Sequence, residues 1–172
     1  MVRKGVSPLV SYMLVVALIF SGVIVVLSIG MPLLDRTREV ASIQSAQDGL
    51  LNMDSKIREV VSYGNGSLSQ VSVSPDYGEY VFEPRNDSFY YQIETDADVI
   101  ADGTHVKINA VNMSSFNNGS KVRLALDYSD ENINLTDARG RDRVSIGQGY
   151  YNLEIRNRGV YNDNVVLEVD YQ

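Results

Sequence analysis

The sequence predicts an α+β chain: a long N-terminal α-helix, hydrophobic in its first half and amphipathic in its second, followed by an antiparallel β-sandwich head. Three observations lead there. From Val6 to Leu34 there are 29 consecutive residues without a charged side chain. From Val40 to Val60 apolar residues recur at spacings of three and four. From Ser67 onward the apolar period falls to two, between clusters of turn-forming residues. The expected boundaries are a helix over 6–62 and a head over 63–172, preceded by a short basic stretch, 1–5.

The composition narrows the functional classes. With 172 residues, 44% hydrophobic and 22% charged, the chain suffices for one domain and a short extra element. It has no cysteine and one histidine, His105, so a disulfide framework, a thiolate metal site, a thiol nucleophile and a His-rich ligand set are excluded. A net charge of −7 opposes binding through phosphate neutralisation, and no nucleic-acid partner is expected. No G-x-x-x-x-G-K-[ST], G-x-S-x-G or H-E-x-x-H pattern occurs. Acidic pairs can serve a glycosidase, but nothing selects a pair here. No enzymatic activity, catalytic residue, metal or cofactor is therefore assigned. The acidic clusters Asp96-Ala97-Asp98 and Asp130-Glu131-Asn132-Ile133-Asn134 lack the Gly and distal Glu of an EF-hand loop and read as a solvated face. His105 reads as a polar strand residue opposite Val106 and Ile108.

The apolar run is opened by Arg3 and Lys4 and closed by Asp35 and Arg36. As a helix it would cover about 43 Å, against about 30 Å of bilayer hydrocarbon. It is longer than the apolar core of a secretory signal peptide, about 7 to 15 residues. The small-x-small site Ser28-Ile29-Gly30 comes late, with Pro32 two residues beyond. A single-pass anchor carrying an external, ligand- or glycan-binding head also fits this run.

The segment Arg3-Lys4-Gly5-Val6-Ser7-Pro8-Leu9-Val10-Ser11 resembles the class III signal peptide of archaeal type IV pilins, in which a short basic leader ends in Gly and a Val-Ser-Pro opening leads into the apolar helix. The resemblance is strong over the first 35 residues and otherwise concerns layout. It implies that residues 1–5 are a leader, cut by a prepilin peptidase between Gly5 and Val6 with Lys4 on the cytoplasmic side. It also implies that the apolar helix, through residues such as Leu9, Leu14, Leu18 and Val25, is transmembrane in the precursor and forms a filament core after assembly. The implied partners are identical subunits, the peptidase, and an assembly ATPase with its membrane platform. The implied location is a cell-surface filament, used for adhesion or surface attachment, with the precursor inserted in the cytoplasmic membrane. Pro8 then falls in the first helical turn, where its missing N–H costs nothing. The small residues Ser11, Ala17, Ser21, Gly22, Ser28 and Gly30 permit close helix approach. Bacterial pilins carry a Glu at the fifth mature position, where this chain has Val10. Archaellins share the leader class and remain an alternative, although their openings are richer in Gly and Ala.

Beyond the run, Val40, Ile43, Ala46, Leu50, Met53, Ile57 and Val60 make an amphipathic stripe, expected to pack in part on the head. Pro32 predicts a kink or local break, and Gly49 costs up to about 1 kcal/mol relative to Ala. Tyr63-Gly64-Asn65-Gly66-Ser67 ends the helix. Seven strands are expected, around 70–74, 80–82, 89–93, 106–111, 122–126, 151–155 and 165–169. Their pattern predicts that residues 63–172 fold around a core of their own. Five Asn-x-Ser/Thr sequons, at Asn65, Asn86, Asn112, Asn118 and Asn134, all fall in this half, against about 1.7 expected from composition. They are expected in turns and predict N-glycosylation of an exported surface. The half carries nine Lys+Arg and seventeen Asp+Glu, a charge of −8.

Overall fold

A computed structural model describes residues 8–95, 103–116 and 120–171, with side chains from Val10 onward. One long helix, α1 (Pro8–Tyr63), precedes ten strands: β1 (Leu68–Val73), β2 (Glu79–Glu83), β3 (Ser88–Glu94), β4 (His105–Ile108), β5 (Val111–Phe116), β6 (Lys121–Asp127), β7 (Ile133–Asp137), β8 (Val144–Ile146), β9 (Tyr151–Tyr161) and β10 (Asn164–Tyr171). Two compact units divide the chain, Met1–Arg38 and Glu39–Gln172. The second half of the helix therefore belongs with the strands.

The helix passes through Pro32 without the expected break. Its end is built from local chemistry. Gly64 and Gly66 adopt φ of +80° and +86°, open to glycine at no steric cost. The terminal carbonyl of Val60 accepts hydrogen bonds from Ser67 Oγ at 2.7 Å and Asn157 Nδ2 at 3.1 Å, which satisfies a group the helix itself leaves orphaned.

The strands form two sheets, in the orders β1-β9-β10-β7 and β4-β5-β6-β3-β2-β8. Pairing is antiparallel except between β7 and β10, which run parallel with Leu135 opposite Leu167. The wholly antiparallel expectation is corrected at that pair. β10 lies between β9 and β7 and returns to β7 without a hairpin turn. The expected single strand 106–111 is also two: β4 and β5 form a hairpin that reverses at Asn109-Ala110, with Asn109 at φ +55°. Asparagine tolerates this left-handed conformation better than most residues. The β9–β10 hairpin turns on Asn162 and Asp163, both at positive φ, matching the right-handed twist of its strands.

One contiguous core takes Ile43, Ala46, Leu50, Met53, Ile57 and Val60 from α1 together with residues of both sheets, among them Val71, Tyr91, Leu124, Leu135, Ile155 and Leu167. Leu50, Met53 and Ile57 are wholly buried, while Val40, expected in the same stripe, is exposed. The expectation of a self-sufficient core in 63–172 is corrected accordingly, because the helix supplies a central part of it. On the sheet side Phe82 stacks on Phe89 at 4.3 Å and Tyr80 tilts against Tyr91 at 5.1 Å.

Candidate functional site

The first half of α1 presents the most unusual surface of the chain. Seventeen large apolar side chains between Val10 and Leu34 are exposed, including Leu14, Leu18 at 70% and Val25 at 54%. They surround the helix rather than marking one face, which is the pattern of a helix meant for burial in a membrane or among other helices. The segment is long and apolar enough to cross a membrane, and none of its most apolar stretch is buried within the chain. Of the residues singled out from sequence, Leu14, Leu18 and Val25 lie on this surface. Lys4, Gly5 and Val6 and the Leu9 side chain lie outside the described residues.

The second half of the helix is held to the strands by polar contacts that sequence periodicity does not reveal. The Arg58 guanidinium donates to both carboxylate oxygens of Glu131, at 3.1 and 3.0 Å, and to Asp54 at 3.0 Å. The Glu131 and then the Asp54 hydrogen bonds raise its pKa further, so it is charged at any pH the fold survives. The other Asp54 oxygen accepts from the Tyr128 hydroxyl at 2.9 Å. Burial, followed by the Asp54 charge, drives the Tyr128 pKa up and keeps its phenol neutral. The Asp54/Arg58 spacing of four was readable as a helix pair. Nothing local to residue 131 linked it to them, and the structure assigns Glu131 to this bridge rather than to a free acidic cluster.

The sequons divide into two kinds. Asn65 is exposed in the turn after α1, and Asn86 is exposed in a short 3-10 turn, Pro84–Asn86, where its Nδ2 donates to Glu83 at 3.0 Å. Asn112 and Asn134 are exposed as well, but on strands β5 and β7 rather than in the expected turns. Outward-pointing positions of a strand give a solvent-facing side chain just as a turn does. Asn118 and the Asp96-Ala97-Asp98 cluster lie outside the described residues. Exposed His105 opens edge strand β4. Among the described residues no group of three or more His, Cys, Asp or Glu is placed to hold a metal ion.

Two further features occupy opposite ends of the Glu39–Gln172 unit. At the end where Glu39 lies, a cleft of about 540 Å³ is lined by Tyr77, Ile93, Glu94, Phe116, Lys121 and Arg123 among others. In it the Arg123 guanidinium stacks over Tyr90 at 4.3 Å and Phe116 at 5.4 Å, and its Nε is buried without a hydrogen-bond partner. At the other end, where α1 finishes, the β9–β10 hairpin runs past β1, whose last partner on β9 is Arg156. Its tip leaves Val160 and Tyr161 each 71% exposed.

No protein-family model, no curated protein and no solved structure matches the chain.

Proposed function

We propose that the chain is a structural subunit of an archaeal type IV pilus-like surface filament, serving adhesion or surface attachment. Residues 1–5 would be removed as a leader, the apolar half of α1 would pass from membrane to filament core, and the two sheets would form a sandwich head facing outward. The observation that carries this reading is the uncovered apolar helix. Each large aliphatic or aromatic side chain taken out of water is worth about 1.5–3 kcal/mol. Seventeen such exposed groups therefore require lipid or protein around them. The same helix continues into a folded head and forms part of its core, so the apolar half is tied directly to a globular unit. A simple anchor needs no such continuation. In the filament the gain over lipid must come from close side-chain packing and from work done by the assembly machinery, since both surroundings are apolar.

The test combines mass spectrometry and electron microscopy of cell-surface material. Fibres whose subunits begin at Val6 are expected. Leu18→Asp should abolish them, since a charge at the centre of an apolar helix costs about 2.5–3.5 kcal/mol or more. Protein retaining Met1, or normal fibres from the Leu18→Asp strain, would contradict the reading.

A further inference from the structure

We propose that successive subunits also join head to tail, the β9–β10 hairpin tip of one copy entering the cleft beside Glu39 in the next. This rests on the filament reading and names a second contact within it. The two features are at opposite ends of the same compact unit. Glu39 lines the cleft, and α1 ends at Tyr63 beside the other end; the 24 residue steps between them correspond to about 36 Å of helix. The strands agree with this polarity. β1 leaves Leu68 near the helix end, and its far end leads to Ser74 and Pro75, which meet Ser42 and Ala46.

The tip is shaped as a plug. Asn157 is the last β9 residue bonded to the β1 side, through Ser67 and Gly66. Among the described residues, β10 is the only strand neighbour of the ribbon from there to Tyr161. Val160 and Tyr161 point to opposite faces of a strand, so their equal exposure shows a ribbon uncovered on both sides. Tyr63, 73% exposed, adds a third bare apolar side chain at this end. Asp163 ends the ribbon, exposed and without an ion pair among the described residues.

The cleft offers the complement. Phe116 and Tyr77 are half-open aromatics at its wall, Ile93 and Val122 lie beneath, and Arg123 brings a guanidinium stacked on Tyr90 and Phe116. Lys121 is paired with Glu94, Gln92 donates to Glu79 and Thr95 donates to Glu39, which leaves Arg123 as the cation of the cleft with no carboxylate partner among the described residues. A plug bearing Val160, Tyr161 and Asp163 supplies apolar surface for the aromatics and a carboxylate for that arginine. Because plug and cleft are different surfaces at opposite ends, each copy binds one neighbour above and one below, and the contact propagates instead of closing into a dimer.

The absence of native cysteine makes the test clean. In the full-length chain, Tyr161→Cys combined with Phe116→Cys should give, on oxidation of isolated fibres, a ladder of dimers, trimers and higher species on non-reducing gels. Either single variant should give none. Separately, Asp163→Arg should cause at least a tenfold loss of fibres, and Asp163→Arg with Arg123→Asp should restore them in part. Fibres that form normally but yield no ladder from the double-cysteine chain would overturn the head-to-tail contact while leaving the filament reading intact. Dimers from a single-cysteine variant would replace it with a symmetric contact. Complete absence of fibres from the unmutated chain would overturn both.

Discussion

Gly49 sits in the interior of α1, where glycine costs up to about 1 kcal/mol relative to alanine, yet an added Cβ would lie 2.7 Å from the Tyr80 hydroxyl. The Tyr80 ring is 5% exposed and held against Tyr91, so it cannot swing away. Overpacking at such a contact costs about 1–3 kcal/mol, more than the helix gains. Gly49→Ala should therefore lower the urea midpoint of the protein, and adding Tyr80→Phe, which removes the obstructing oxygen, should return most of the loss. A stabilised Gly49→Ala protein would show that the glycine is only a helix defect. Asp137 makes a second residue-level case. Its carboxylate is wholly buried, which alone pushes its pKa up. The Arg141 side chain and the backbone N–H groups of Arg141 and Arg139 outweigh burial and hold it below the ordinary carboxylate range. A folded-state pKa below the unfolded one gives stability that is present above about pH 4 and lost as pH falls through the lower value. Acid titration of unfolding should show this loss, and Asp137→Asn should flatten that part of the curve while lowering stability at neutral pH.

The second half of α1 is an element that belongs to the strands. With Leu50, Met53 and Ile57 wholly buried in the common core, cutting the chain at residue 62 would leave a large apolar gap, whereas cutting at 38 follows the boundary of the compact unit. A fragment 39–172 should unfold cooperatively on heating; a fragment 63–172 should lack fixed tertiary structure by near-ultraviolet circular dichroism. A well-folded 63–172 would overturn this division. The stripe at 43, 46, 50, 53, 57 and 60 was legible because helical periodicity is local. That it is indispensable was not, since periodicity records which face is apolar and not what covers it. The strand runs other than β7 and β8, which fall outside the seven expected, were legible for the same reason, but the β4–β5 reversal at Asn109-Ala110 was hidden inside a pattern that alternates from Val106 to Ala110. The parallel β7–β10 pair joins segments about thirty residues apart and has no local signature. The Arg58–Glu131 bridge, whose partners are 73 positions apart, is equally invisible to spacing.

At the scale of the whole molecule, the surface is acidic and marked by exposed sequons at Asn65, Asn86, Asn112 and Asn134. Glycopeptide analysis of native material should find sugar on several of them, together with Asn118. All five unmodified would reduce the excess to a polar loop composition. Single Asn→Gln changes at these exposed sites should move folding stability by no more than about 0.5 kcal/mol. Sheet order bears on how such a head comes into being. β10 is interior to its sheet, hydrogen bonded to β9 on one side and β7 on the other, so β7 has no strand partner until residues 164–169 are in place. The core likewise joins Ile43 to Val169. Non-local closure of this kind makes folding slow and late. As the polypeptide is synthesised, the six-stranded sheet has all its partners by Ile146, Asn112 on β5 among them, whereas β7 waits unpaired for β10, and Asn134 stays on an open strand through that interval.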